Sequence, residues 1–310
     1  MTFIDEVAVY LPGHRVSVAD LAGQLGLTAM QVRLFGKFLG FAEVRRDRDG
    51  TLADLLYAAA AELKALRGRE HLVRYVVHAR NLPVVAPYPL NPLHEVSERL
   101  GLGHAVTFTI THHACATGLI AIDAAGRLLA ADGDSDGLAL VLAGEKAFTH
   151  DAQLVAGMSI FGEAGAACLV AMNGESDRLL SYACRTRGEF DGRLESQPEL
   201  ASKYEEEYPL SLTEVMLAAV GQAGLRLDDI SLILPHNVNA VSWQRLSRRI
   251  DFPVERVVLD NVPVTGHAFC ADMLINYTTA MDRGLLRPGD RYLVAAAGTG
   301  ATFSAMVFEH

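Results

Sequence analysis

The sequence predicts an α/β fold in which strands alternate with helices through most of the chain. Three observations predict it. Short apolar runs of strand length recur between longer helical patterns. Half of the 310 residues are hydrophobic and mean hydropathy is +0.19, so a large core is available and global disorder is excluded. The 27 glycines supply the tight turns that many short connections need.

In chain order, strands are expected at VAVYL (from Val7), LVRYVVHA (from Leu72), AVTFTIT (from Ala105), GLALVLAG (from Gly137) and AACLVAM (from Ala166). The second part offers LLSYACRT (from Leu179), ISLILP (from Ile230), RVVL (from Arg256), YLVAAAG (from Tyr292) and TFSAMVF (from Thr302). Helices are expected after Thr51, Gly118, Leu210, Asn239 and Ala271, with Thr51 and Ser211 as N-caps. Such alternation implies largely buried strands. The two parts share this rhythm, which fits an internal duplication with N-terminal (1–172) and C-terminal (173–310) halves. The stretch EFDGRLESQPELASKYEEEYP (from Glu189) is polar and acidic and reads as a solvated loop, with an entrance lid as the alternative.

The net charge of −10 argues against nucleic acid or an anionic membrane surface as the partner. The acidic N-terminus does not resemble a signal peptide, and no uninterrupted apolar run is long enough to span a bilayer. The four cysteines, Cys115, Cys168, Cys184 and Cys270, form no CxxC pair. A cytoplasmic protein with reduced thiols is expected.

THHACATG (from Thr111) reads as strand, sharp turn, helix, with Cys115 near a helix N-terminus where the dipole favours thiolate. Three readings compete: a nucleophile, a ligand set with His112 and His113, and a packed thiol. Adjacent strand residues point to opposite faces, which sets the metal reading aside; no metal site is expected. Were the strand to persist, Thr111, His113 and Cys115 would share one face, and His113 would tune the thiol or line a tunnel; a packed, satisfied histidine is the alternative. Two further turns follow apolar segments: Pro235-His236-Asn237 and Thr265-Gly266-His267. Each histidine alone fits a turn or a cap. With Cys115 they occupy equivalent strand-to-helix turns of an α/β repeat, which converge on one crevice. Cys168, Cys184 and Cys270 read as small packed hydrophobes.

These segments, in order, resemble the thiolase superfamily, most closely its β-ketoacyl-ACP synthase III-like branch. AVYLPGHRVSVADLA, HHACATG, LVLAGEKAFTHDA, FGEAGAACLV, LPHNVNAVSW and AAAGTGATFSAMVF carry the resemblance across nearly the whole chain. It implies a thiolase-like fold, a duplicated five-layer αβαβα arrangement with mixed central sheets. It also implies that Cys115 is acylated by a thioester, with His236 and His267 beside it. The oxyanion would be held by the Cys115 amide and by an amide of the Gly298-Thr299-Gly300 turn. Phe161, His113 and Asn239 would line or tune the pocket. The branch usually carries asparagine where this chain has His267, which departs towards the elongating synthases.

Decarboxylative condensation with a malonyl-type thioester is the first expectation, in fatty-acid-like or specialised polyketide metabolism. Acyl transfer to oxygen or nitrogen without condensation is the second, and a silent partner subunit of a synthase heterodimer the third. The region AMQVRLFGKFLGF (from Ala29) lacks the branch's adenine-stacking tryptophan. This favours a carrier-protein thioester over acyl-CoA as donor, and no cofactor beyond such substrates is implied. Arg245, Arg248 and Arg249 form a basic cluster that would dock an acyl carrier protein; a solvated helix face explains them equally. The stretch from Asn81 to Gly101, rich in proline, reads as a rigid loop that shapes the acyl pocket and joins a homodimer interface. The final glycine turn lacks a second catalytic cysteine, which argues against a thiolase proper.

Overall fold

The computed structural model describes residues 1–190 and 197–310. Thirteen strands are present among them: β1 Phe3–Tyr10, β2 His14–Ser17, β3 Glu43–Arg46, β4 Val73–Ala79, β5 Val106–Ile110, β6 Leu138–Gly144, β7 Leu154–Val155, β8 Ser159–Ile160, β9 Gly165–Ala171, β10 Arg178–Thr186, β11 Leu232–Pro235, β12 Arg291–Gly298 and β13 Thr302–Glu309. The α-helices are α1 Val18–Leu21, α2 Ala29–Arg33, α3 Leu52–Ala60, α4 Pro92–Arg99, α5 Thr117–Asp132, α6 Pro198–Gln222, α7 Ala240–Arg249, α8 Val262–Thr265 and α9 Asp272–Asp282.

Nine strands form one mixed sheet in the order β11-β12-β13-β10-β1-β9-β6-β4-β5. Its two runs share a topology. In β5-β4-β6-β9-β1, β4 is parallel to both β5 and β6, and the remaining pairs are antiparallel. In β11-β12-β13-β10, the first pair is parallel and the others antiparallel. The runs join where Phe3 pairs with Arg178. The expected strand at RVVL is reduced to a single bridge, Ile233 to Val257, with a 3₁₀ turn before it. That bridge lies where β5 lies in the first run.

Three apolar clusters stack across these runs. α3 and α4 bury Leu55, Leu56 and Val96 against the outer face of the first run. α5 and α9 lie between the two runs and share one core with residues of both, including Val141, Leu234, Val294 and Met306. α6 and α7 cover the second run with Leu212, Met216, Trp243 and Leu246. The result is the αβαβα layering of the thiolase-like fold. The segment Ala114–Asp132 is long and apolar enough to cross a membrane, but it is this central helix, packed between the two runs of the sheet.

Several expectations are corrected. The helix after Thr51 forms with a Thr51–Asp54 capping box but ends at Ala60. The polar stretch from Glu189 is not an irregular loop throughout: from Pro198 it is α6, 25 residues long, with Pro209 inside it. Residues 191–196 of that stretch lie outside the described residues. Ser211 is therefore buried mid-helix rather than an N-cap, and it accepts from Arg187. The Asn81–Gly101 stretch contains α4, started by Asn91 as N-cap and Pro92 at N1. The region from Ala29 forms α2, which runs on into a π-helical turn over Leu34–Leu39.

Candidate active site

Cys115 lies in the 3₁₀ turn Ala114–Ala116, between β5 and α5. The strand does not persist past Ile110. His112 and Ala114 take positive φ (72° and 46°), which breaks the alternation expected for Thr111, His113 and Cys115. His113 is consequently turned towards Cys184 on β10. Cys184 is exposed, not a packed hydrophobe. Burial pushes its thiol up, but hydrogen bonds with His113, Ser304 and Tyr182 outweigh this and lower it. Cys168 and Cys270 are buried, and the Cys270 thiol donates to the Ala114 carbonyl at 3.2 Å.

Three turns meet at the cysteine. His267 Nε2 is 3.0 Å from Cys115 Sγ. His267 Nδ1 contacts the Asp272 carboxylate, which is fully buried at the start of α9. That carboxylate also accepts from the Asn237 amide at 2.6 Å and the Ala268 amide at 2.7 Å. An ionised carboxylate only accepts, so Nδ1 of the neutral ring carries the proton and Nε2 presents a lone pair to the sulfur. Cys115, His267 and Asp272 are thus a hydrogen-bonded chain. Asp272 was not singled out from the sequence, although its place five residues after His267, opening a helix, was in view.

Gly266 makes the approach of His267 possible. Its φ is +68°, and a Cβ there would lie 2.7 Å from Val44 Cγ1 and 2.8 Å from the Ile160 carbonyl. The backbones of His267 and Phe161 are bridged, and the Phe161 ring stacks on the imidazole with centroids 4.7 Å apart. Phe269 stacks on Phe161 at 4.5 Å and on the imidazole at 6.3 Å. Phe161 therefore lies directly against His267.

His236 continues β11 by one residue, its amide donating to the Ala295 carbonyl. Its ring centroid is 5.8 Å from that of His267. Burial first, and then any positive charge that His267 takes up, push its pKa down to about 3, so the ring is neutral at physiological pH. His236 Nε2 and the Tyr208 hydroxyl are hydrogen-bonded at 3.0 Å. Tyr208 lies on α6, in the stretch read from sequence as a solvated loop, so sequence gave it no signal. The lone tryptophan, Trp243, donates from Nε1 to the His236 carbonyl at 2.8 Å and fixes that turn.

The Gly298-Thr299-Gly300 turn joins β12 to β13 and packs on the cysteine turn. A Cβ at Gly298 would fall 2.1 Å from the His113 carbonyl oxygen. Thr299 itself is exposed and Gly300 half-buried. Burial raises the Cys115 thiol well above its ordinary range, with Cys270, Asp272 and Glu145 adding to the rise. Thiolate therefore forms only with a base to take the proton, and His267 is in contact.

A cleft of about 410 Å³ opens beside the site. Leu34, Phe38, Met158 and Val241 give it an apolar wall, and Glu205, Asn239 and Arg245 a polar rim. Tyr208 is shared between the cleft and the histidine cluster. Asn239 lines the cleft while its side chain caps α7 through Ser242 and donates to the Met158 carbonyl. Of the three arginines, Arg245 lines this cleft; Arg248 and Arg249 are exposed further along α7.

Residues 220–310 match the family described as 3-oxoacyl-[acyl-carrier-protein] synthase III, C-terminal. A β-ketoacyl-[acyl-carrier-protein] synthase III of Rhizorhabdus wittichii is 28% identical over 232 residues, 69% of this chain and 70% of that protein. In other such relatives the matched stretch spans about half of their length, 51% and 50% in two of them. Among solved structures, 3-oxoacyl-[acyl-carrier-protein] synthase III from Aquifex aeolicus VF5 superposes with a TM-score of 0.84 at 21% identity, covering 100% of both chains. ChlB3, an acyltransferase, gives 0.86 at 20%, covering 99% of this chain and 97% of its own. Over residues 220–310 this chain is thus similar to β-ketoacyl-ACP synthase III, and the whole chain shares the thiolase-like fold of these structures.

Proposed function

We propose that the protein transfers an acyl group from a thioester, through acyl-Cys115, to a hydroxyl or amine acceptor. The observation that carries this reading is His267, bridged between Asp272 on Nδ1 and Cys115 on Nε2. Decarboxylative condensation needs two hydrogen-bond donors on an enolate and no base for the acceptor. Here the neutral His267 turns a lone pair inward, and His236 Nε2 is engaged by Tyr208. An alcohol or amine, in contrast, must lose a proton as it attacks, which is the task of a base held this way. The order of the two reactions expected from sequence is accordingly reversed.

In the first half-reaction the Cys115 proton passes to His267 Nε2 as Sγ attacks the thioester carbonyl. The tetrahedral oxyanion is held by the Cys115 amide and an amide of the Gly298–Gly300 turn. Collapse breaks the donor C–S bond, and the leaving thiolate takes the proton from His267. The acceptor then gives its proton to the freed Nε2 as its oxygen or nitrogen attacks the acyl carbon. Cys115 leaves as thiolate and recovers that proton. Asp272 stays ionised and steadies the imidazolium in both halves.

The donor arm enters by the cleft bounded by Phe38, Met158 and Arg245. An acyl carrier protein presents it, steered by Arg245 with Arg248 and Arg249; acyl-CoA is the smaller alternative. A homodimer forms through the exposed edge of β5.

Intact mass spectrometry with acyl thioesters tests the reading. An acyl adduct is expected that Cys115→Ala abolishes and that added alcohol or amine acceptors discharge as ester or amide. Carbon dioxide release from a malonyl thioester, coupled to loss of the adduct, would instead establish condensation.

A further inference from the structure

Asn81 sits two residues beyond the end of β4, on the strand pair that leads to the cysteine. β4 and β5 run parallel, with Ala79 opposite Ile110, so the segments after both strands leave the same edge of the sheet. The Arg80 amide extends that ladder by donating to the Ile110 carbonyl at 3.0 Å. This brings the Asn81 side chain onto the nucleophile, with Oδ1 3.5 Å from Cys115 Sγ.

The third parallel strand supplies the anchor. Glu145 follows β6 directly and is fully buried. Its Oε1 accepts from the Asn81 amide at 2.6 Å and from the Leu82 amide at 3.0 Å. Its other oxygen has no hydrogen-bond partner among the described residues. A buried carboxylate held by two successive backbone amides fixes the position of the Asn81 backbone. The amide of Asn81 is thus delivered to the sulfur by a dedicated contact, not by chance proximity of a loop.

We infer that Asn81 is a further catalytic residue whose side-chain amide binds the Cys115 sulfur and stabilises the thiolate when His267 removes the proton. The inference rests on Cys115 being the nucleophile. The amide suits both states of the sulfur. Oδ1 accepts from the thiol, and a half-turn about the terminal bond presents Nδ2–H to the thiolate in the same space. No covalent change occurs at Asn81. The need is physical: the sulfur is buried, and the carboxyl groups of Asp272 and Glu145 both oppose its ionisation.

The test is the rate of Cys115 alkylation by iodoacetamide across pH 6–10, on the full chain. Peptide mass spectrometry reads it, with Cys115→Ala as the background for the exposed Cys184. Asn81→Ala is expected to raise the midpoint of the pH–rate profile and to slow alkylation at pH 7.5 roughly tenfold. Asn81→Asp keeps the shape and adds a like charge, so its midpoint should rise further. Should Asn81→Ala fail to fold, Asn81→Asp carries the test alone. A purely structural role predicts faster alkylation at every pH from a looser loop, with the midpoint unmoved. That result, or an unshifted midpoint in Asn81→Asp, overturns the inference. Absence of any acyl adduct on Cys115 would overturn the reaction proposed above, which this measurement does not use.

Discussion

Asp272 grips His267 from five residues further along the chain, and the grip is rigid because backbone amides of Asn237 and Ala268 hold the same carboxylate. Asp272→Asn retains the shape but removes the acceptor that keeps the proton on Nδ1. Acylation of Cys115 is expected to slow about 10³-fold or more in rapid-quench measurements, with the fold intact by circular dichroism. A loss below tenfold would mean that His267 is not acting as the base.

Tyr208 ties α6 to the histidine cluster. Its ring also packs edge-on against Tyr204 and Phe303, with centroids 5.9 and 6.0 Å away. Tyr208→Phe keeps those contacts and leaves His236 Nε2 without its partner. The expected cost is about 1 kcal/mol, read as a lowered denaturant midpoint at unchanged slope.

Glu145 gives the protein a pH-dependent stability. Burial pushes its carboxyl from 4.5 up to about 7, against the pull of the Leu82 and Asn81 amides. The folded state therefore holds the proton more tightly than the unfolded chain. The resulting stability is complete below pH 4.5 and is lost as pH rises to about 7, a change of about 3 kcal/mol at most. Glu145→Gln keeps an oxygen for both amides and cannot ionise. Its melting temperature should decline less than wild type between pH 4.5 and 8; parallel curves would contradict this.

Gly266→Ala places a methyl where Val44 and the Ile160 carbonyl already stand, on a backbone with φ of +68°. Destabilisation of about 2 kcal/mol or more is expected, together with loss of acylation, since the same turn aims His267. Calorimetry and the adduct assay read the two effects separately.

Arg245 rims the cleft, whereas Arg248 and Arg249 do not line it. Arg245→Glu should raise KM for a carrier-protein thioester several-fold at low salt and leave KM for a short pantetheine thioester within about twofold. Equal changes for both donors would place Arg245 on the arm rather than on the carrier.

Much of this architecture was legible in the residues. Strands such as β6 and β9 are unbroken apolar runs, and length and flanking turns identify them. Cys115, His236 and His267 stood out because each follows an apolar segment and precedes a helix. Other parts were not legible, for physical reasons. The first half of α6 is polar and mostly exposed, so its hydropathy resembles a loop; Tyr208 counts only because the helix turns it inward. Asp272 looked like an ordinary first-turn acid, and its role depends on three turns that sequence separates widely. Val257 shows the reverse error, an apolar run that pairs at one residue and no more. At His113, two residues with positive φ broke an alternation that composition alone could not reveal.

The burial of α5 and α9 between the two runs has a consequence for how the molecule comes apart. Both helices lend their apolar faces to a single interior, and Gly118 of α5 rests against Cys270 at the foot of α9 with only 3.0 Å to spare for an added Cβ. Either half on its own would present that interior to water. Heating should therefore melt the molecule in one calorimetric step, with acylation vanishing across the same few degrees. Fragments expressed separately should regain the reaction only when mixed, because cysteine and histidine reside on opposite sides of that seam.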